Sequence, residues 1–173
     1  MELDAALTYY QLWHSPIGDI LLTSDGQALT GLYVASKRHA PQIQKHWQPA
    51  GTRLAHVIQQ LDEYFKGRRT EFDVVTRPRG TAFQQQVWAA LCAIPYGETR
   101  SYGTLAKRIG NPLASRAVGL ANGRNPISII VPCHRVIGAS GSLVGYGGGL
   151  AAKRFLLDLE GSSKNLLSIA ELA

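Results

Sequence analysis

The pattern of apolar and polar positions along the chain predicts strands first and helices afterwards. Tyr9 to Trp13, Ile20 to Thr23 and Leu29 to Val34 are short runs rich in β-branched, aromatic and other apolar residues. Pro16-Ile17-Gly18 and Asp25-Gly26 punctuate them as turns, so the three runs read as an antiparallel meander. The spacing then lengthens: Leu54, Val57, Ile58, Leu61 and Phe65 recur at helical intervals and form one face of an amphipathic helix ending at Gly67. A short strand is expected around Phe72 to Val75, and Thr76-Arg77-Pro78-Arg79-Gly80 reads as a linker.

Beyond that linker the pattern is helical and rich in glycine. Phe83, Val87, Ala90, Leu91 and Ile94 make a helix face stopped by Pro95. Ser101 is a suitable N-cap for a short helix through Ile109, closed by Gly110. Asn111-Pro112 makes a turn, and a further helix runs from about Ala114 to Asn122 before Gly123. Two short helices joined in this way fit a helix-turn-helix whose second member, carrying Arg116, is the recognition helix. The last residues, 162–173, lack strong periodicity and read as a frayed tail. The expected organisation is therefore 1–79, an α/β part; 80–161, a helical part with the helix-turn-helix; and the tail.

Composition narrows the setting. The 173 residues are 45% hydrophobic and 17% charged, ordinary values for a protein with a real core. No stretch approaches the roughly 18 consecutive apolar residues of a membrane helix. Met1-Glu2-Leu3-Asp4 is acidic and unlike a signal peptide, so a cytoplasmic location is expected. With two cysteines, Cys92 and Cys133, and with His14, His39, His46, His56 and His134 scattered singly, neither a disulfide scaffold nor a metal site is expected. Cys92 is expected in the middle of an apolar helix face.

Charge changes the picture more. Residues 1–79 hold nine Lys/Arg and eight Asp/Glu, 9 − 8 = +1, whereas residues 80–161 hold eight and three, 8 − 3 = +5. Between Glu98 and Asp158 there is no acidic side chain, while Arg100, Lys107, Arg108, Arg116, Arg124, Arg135, Lys153 and Arg154 all fall there. A field of one sign favours a polyanion such as nucleic acid, and a merely solvated basic surface is the plain alternative.

The candidate chemistry lies in Ile127-Ser128-Ile129-Ile130-Val131-Pro132-Cys133-His134-Arg135. An apolar run delivers Cys133 to the end of an extended segment, Pro132 fixes the backbone before it, and His134 and Arg135 follow. A free thiol has a pKa near about 8.5, so a nucleophilic cysteine needs a base or cation close by. Adjacent residues in a strand point to opposite faces, so adjacency alone does not make His134 that base; a turn at Pro132-Cys133 would. A buried, inert cysteine is the competing reading of the dipeptide.

The longer string carries more information. Pro132-Cys133-His134-Arg135-Val136 resembles the active-site signature of the O6-alkylguanine-DNA alkyltransferases. The likeness runs from about Phe83 to Gly161 and takes in Ser101-Tyr102-Gly103-Thr104, Ser115-Arg116-Ala117-Val118-Gly119, Asn125-Pro126, Tyr146-Gly147-Gly148-Gly149 and Lys153-Arg154-Phe155-Leu156-Leu157 before Glu160-Gly161. The resemblance implies an α+β fold. Its N-terminal part would be a small antiparallel sheet with helices (ribonuclease H-like), and its C-terminal part mostly helical with a winged helix-turn-helix-like motif. It implies direct reversal of DNA damage, in which an alkyl group, typically methyl, moves from O6 of guanine, and less so from O4 of thymine, onto Cys133 irreversibly and once per molecule.

Residue by residue, the resemblance makes Cys133 the acceptor, His134 a base acting through water, and Glu160 the group that orients His134. Tyr102 would serve the N3 side of the departing guanine, and Asn125 would organise the turn before Cys133. Arg116 would enter the base stack in place of the flipped nucleotide, in the minor groove, unlike the usual helix-turn-helix placement. Ser101, Ala114, Ser115, Asn122, Arg124 and Arg135 would contact DNA. Val136, Tyr146, Gly147 and Gly148 would line the alkylguanine pocket, with residues 140–149 as a lid. Many members carry Ser where this chain has Gly147, which removes a hydroxyl contact to O6. The N-terminal zinc cluster of the larger adaptive-response relatives is absent from the sequence. The implied partner is double-stranded DNA carrying alkylated guanine, bound by a protein that is a monomer in solution, with cooperative assembly on DNA left open; no cofactor is implied. Alternatives at this stage are a cysteine hydrolase, a damage sensor without catalysis, and a transcription regulator.

Overall fold

The computed structural model describes residues 7–34 and 38–161; the acidic N-terminus and the tail 162–173 lie outside these. Three strands form as expected. β1 (Tyr9–Ser15) pairs antiparallel with β2 (Gly18–Ser24), and β2 with β3 (Leu29–Val34). Gly18, at φ +104°, takes the left-handed conformation the first turn needs, and the Asp25 carboxylate closes the second by accepting from the amides of Gln27 and Ala28. A short β4 (Gln48–Pro49), not signalled by periodicity, joins parallel to β1, giving the order β3-β2-β1-β4.

Helix α1 (Ala55–Phe65) packs through Val57, Leu61 and Tyr64. The expected face is thus rotated: Ile58 and Phe65 are half-buried, and Tyr64 is fully buried in their place. The expected strand at Phe72–Val75 is absent, and the segment makes a single bridge, Thr76 to Leu29. The reason is local. The amide and carbonyl of Asp73 are both taken by the Gln60 side chain of α1, at 2.8 and 2.9 Å, so its polar backbone groups are satisfied without a ladder.

The second half is helical. α2 (Ala82–Cys92) starts at a capping box of Thr81 and Gln84. β5 (Arg100–Ser101) leads into α3 (Tyr102–Arg108), capped by the Ser101 hydroxyl, and α4 (Ser115–Gly123) follows. A 3-10 turn at Cys133–Arg135, the short β6 (Val136–Ile137) pairing parallel with β5, and α5 (Leu150–Leu159) complete the chain. One buried apolar cluster runs from Ile20, Leu22 and Leu32 in the sheet, through Leu61 and Trp88, to Val118, Ile127 and Leu156. The architecture is α+β. Among the described residues no helix is long and apolar enough to cross a membrane.

The sheet fixes the segment that leads to Cys133. The Leu32 amide donates to the Pro126 carbonyl (2.9 Å) and the Ser128 amide to the Leu32 carbonyl (3.0 Å), so β3 holds residues 126–128 along its edge. The apolar run beyond is not extended, contrary to expectation. Ile129 has φ +72°, the Val131 amide returns to the Ile127 carbonyl, and the buried Asn125 side chain clamps both ends. Its Nδ2 donates to the Val131 carbonyl at 2.8 Å and its Oδ1 accepts from the Ile127 amide at 3.0 Å. Satisfied by this amide, the run folds back as a tight loop and needs no strand partner.

Candidate active site

The 3-10 turn places Cys133 and His134 on one compact bend, both buried. The His134 Nε2 donates to Glu160 Oε1 at 2.8 Å, both side chains being fully buried. A carboxylate only accepts, so this bond puts the ring proton on Nε2 and leaves Nδ1 with its lone pair. Nδ1 is buried and has no hydrogen-bond partner. Burial, helped by the nearby Arg135 and Lys153 charges, keeps the His134 pKa below its ordinary value despite the pull of Glu160. The imidazole is therefore neutral near pH 7, with its free nitrogen ready to take a proton.

Glu160, at the C-cap of α5, is buried, so it is not a solvated helix-end carboxylate. Its Oε1 accepts from Tyr64 Oη (2.6 Å), His134 Nε2 and Arg135 Nη2 (3.0 Å), and its Oε2 from Arg135 Nε (2.9 Å). Burial alone pushes this carboxyl up, but the bonds from His134 and Arg135 outweigh it and hold it at about 2. Gly97 closes this side; a Cβ there would stand 3.1 Å from the Glu160 carbonyl oxygen.

Two expected DNA contacts are corrected by their placement. Arg135 is buried, paired to Glu160 and donating to the Ile94 carbonyl at 2.6 Å; its guanidinium is committed to the interior. Asn122, also buried, reaches inward from α4 and donates to the Cys133 carbonyl at 3.4 Å. Cys92 is corrected too: it is the last residue of α2 and is exposed, not the middle of a buried face. It borders a cavity of about 390 Å³ that is also lined by Pro132 and Arg135.

The other expected residues divide into a cover and an outer face. Tyr102, at the start of α3, packs on α4 at Gly119 and donates from its hydroxyl to the Val144 carbonyl at 3.1 Å. Burial, and then the proximity of Cys133, push this phenol up, so it stays a proton carrier at neutral pH. Tyr146 is half-buried with its hydroxyl covered, and burial pushes it up as well. Gly148 sits against Val34, where a Cβ would come within 3.2 Å of the valine methyl; Gly147 lies beside it in the same turn. Val136 is buried.

Ser101 is occupied as the α3 cap, its hydroxyl accepting from the Thr104 amide at 3.1 Å. Ala114 is the N-cap of α4, and Ser115 its half-buried first residue. Arg116, Ala117, Leu120 and Arg124 are exposed, while Val118, Ala121 and Asn122 face inward.

One residue of the site was missed in the sequence. Lys153 is fully buried, and its Nζ donates to the carbonyls of Val136 and Val144. Burial pulls this ammonium down to about 8 against the opposing influence of Cys133, so a cation stands near the thiol. Its place on the inner face of α5, one helical turn before Leu157, was the signal available. Among the described residues no group of three or more His, Cys, Asp or Glu gathers as a metal site.

Comparison with known proteins agrees over both halves. The family model "6-O-methylguanine DNA methyltransferase, ribonuclease-like domain" matches residues 8–78, and "6-O-methylguanine DNA methyltransferase, DNA binding domain" matches 82–162. A methylated-DNA--protein-cysteine methyltransferase of Mycobacterium tuberculosis is 55% identical over 90% of this chain and 94% of its own. One of Methanosarcina acetivorans is 53% identical over 89% of this chain and 99% of its own. The crystal structure of Mycobacterium tuberculosis OGT in complex with DNA superposes with a TM-score of 0.84 at 55% identity, covering 89% of this chain and 93% of that one.

Proposed function

The chain belongs to the 6-O-methylguanine DNA methyltransferase family, and we propose from that membership that it repairs DNA by moving an alkyl group, typically methyl, from O6 of a damaged guanine to Cys133. O4-alkylthymine is the lesser substrate. The observation that carries the assignment of roles is the His134 ring, fixed by Glu160 through Nε2 with Nδ1 left buried and without a partner, on the residue that follows Cys133.

In this reading the Cys133 thiol gives its proton, through a water, to His134 Nδ1. The thiolate attacks the alkyl carbon, a carbon–sulphur bond forms, and the bond from that carbon to O6 breaks with its electron pair left on the guanine. Tyr102 donates a proton or hydrogen bond at N3 as negative charge develops on the base. The imidazolium formed on His134 is stabilised by Glu160 in a fully buried setting, where a preorganised charge acts strongly. The product is unmodified guanine and a thioether on Cys133 that nothing in the site is built to cleave, so each molecule acts once.

DNA would meet the exposed face of α4, with Arg116 taking the space of the flipped nucleotide in the minor groove and Arg124 on the phosphates. Tyr146, Gly147 and Gly148 would close over the base, with residues 80–161 carrying the chemistry and 1–79 supporting it. A monomer acting in the cytoplasm completes the proposal. The test is restoration of sequence: a duplex with O6-methylguanine inside a restriction site, resistant to the nuclease, becomes cleavable after incubation with the protein. Continued resistance in the presence of tight binding would leave a sensor of damage in place of a repair protein.

A further inference from the structure

The shared oxygen of Glu160 links the two halves of the chain. Tyr64 ends the buried face of α1, has no exposed surface, and lies among Phe65, Phe72 and Tyr96. Among these apolar edges its hydroxyl donates to Glu160 Oε1 at 2.6 Å, and the same oxygen holds His134 Nε2 at 2.8 Å. We infer that Tyr64 is a positioning residue for the alkyl transfer: from the N-terminal half it sets how strongly Glu160 pulls on His134, and so the basicity of the free Nδ1.

The donor count supports this. A carboxylate offers about four lone-pair sites, and Glu160 already accepts from Tyr64, His134, Arg135 through two nitrogens and, at 3.5 Å, the Gly97 amide. Every added donor draws negative charge away from the bond to His134. Tyr64, His134 and Arg135 Nη2 share one oxygen, so removing the phenol hydroxyl leaves more charge for the imidazole. The other groups facing Tyr64 and His134 are the Arg135 guanidinium, which also donates to Oε1 through Nη2, the Tyr96 phenol after α2 and the Lys153 ammonium on α5. Arg135 Nη2 is already on Oε1, and neither Tyr96 nor Lys153 donates to it in place of Tyr64. A buried tyrosine wanted only for packing would be equally well served by phenylalanine among these rings, since a polar group buried without need costs stability.

The inference rests on the proposed role of His134 and Glu160, and the experiment separates the two. The single-turnover rate of methyl transfer from an O6-methylguanine duplex is measured against pH for the wild type, Tyr64→Phe, Glu160→Gln and a protein carrying a difluorotyrosine at position 64. The fluorinated phenol donates more strongly. Protonation of His134 gives the profile its acid limb. Tyr64→Phe is expected to move that limb upward by about one pH unit, because the freed carboxylate favours the imidazolium; the difluorotyrosine is expected to move it downward. A purely structural role would lower stability but leave the acid limb where the wild type has it, and that result overturns the inference while the relay stands. If Tyr64→Phe fails to fold, the fluorinated protein alone decides, since it keeps the ring and the hydrogen bond. Should Glu160→Gln match the wild type in rate and profile, the relay itself fails and the inference falls with it.

Discussion

Lys153 donates to the carbonyl of Val144 at 2.9 Å, and through the same nitrogen to the carbonyl of Val136. Helix α5 is thereby fastened both to β6 after Cys133 and to the segment 140–149. Replacing this side chain tests whether the cover and the buried cation matter. Burial lowers the Lys153 pKa from 10.5 to about 8, so holding it charged costs ~3 kcal/mol. Lys153→Met relieves that cost but forfeits two charge-assisted hydrogen bonds of ~1.5–3 kcal/mol each. These oppose each other, and on these figures the unfolding free energy should fall by ~0–3 kcal/mol. Methyl transfer should slow by at least about tenfold as the cation near the thiol is lost. Stopped single-turnover assays and urea unfolding on one preparation check this, and a large stability loss with an unchanged rate would contradict it.

Glu160→Gln removes a charge that Arg135 and His134 both use. The Arg135 guanidinium is left buried without its partner, a loss of ~3–5 kcal/mol for pairs of this kind, and the imidazole loses the group that stabilises its charged form. The rate should fall while affinity for duplex DNA stays near the wild-type value, because Glu160 is buried away from the face of α4. Equilibrium binding and transfer rates measured together read this out; an unchanged rate would argue against the relay.

Stability should fall steeply in acid. The Glu160 carboxyl is depressed from 4.5 to about 2, so its contribution is complete above pH 4.5 and is lost as pH falls through about 2, ~3 kcal/mol in all. His134 is also depressed; the unfolded chain takes up its proton first, so stability begins to decline as pH drops below about 6.5. Urea midpoints between pH 7 and 3 should decrease throughout. A flat profile down to pH 4 would contradict the protonation states assigned here.

Arg116 is exposed at the start of α4 and makes no salt bridge among the described residues. Arg116→Ala should weaken reaction with a lesion inside duplex DNA far more than reaction with free O6-methylguanine, which needs no flipping. Equal losses on the two substrates would remove the role of a finger in the base stack.

Much of the site was legible because chemistry and local pattern coincide in sequence. The Ser101 cap and the helix carrying Arg116 could be read from adjacent residues, whereas the pairing of Cys133 with His134 was legible only through the longer resemblance. Glu160 was legible only by resemblance, since a glutamate at a helix end is ordinarily solvated, and one of its hydrogen-bond donors, Tyr64, is distant in the chain. The errors share one cause. Asn125 turned an expected strand into a loop, Gln60 capped the segment expected to pair, and Arg135 went inward to a carboxylate; each is a side chain making a contact that periodicity does not report. Cys92 and Lys153 erred in opposite directions, one exposed and one buried, because hydropathy alone does not locate a helix end or a satisfied cation.

The most direct test of the central claim is to incubate the protein with a duplex whose O6-methylguanine is labelled in the methyl group, follow label on protein with time, and locate it by peptide mass. Transfer that stops at a single methyl group per chain, resides on Cys133, restores guanine and is abolished in Cys133→Ser is the predicted result. Label that continues beyond that point, settles on Cys92, or never leaves the DNA would contradict it.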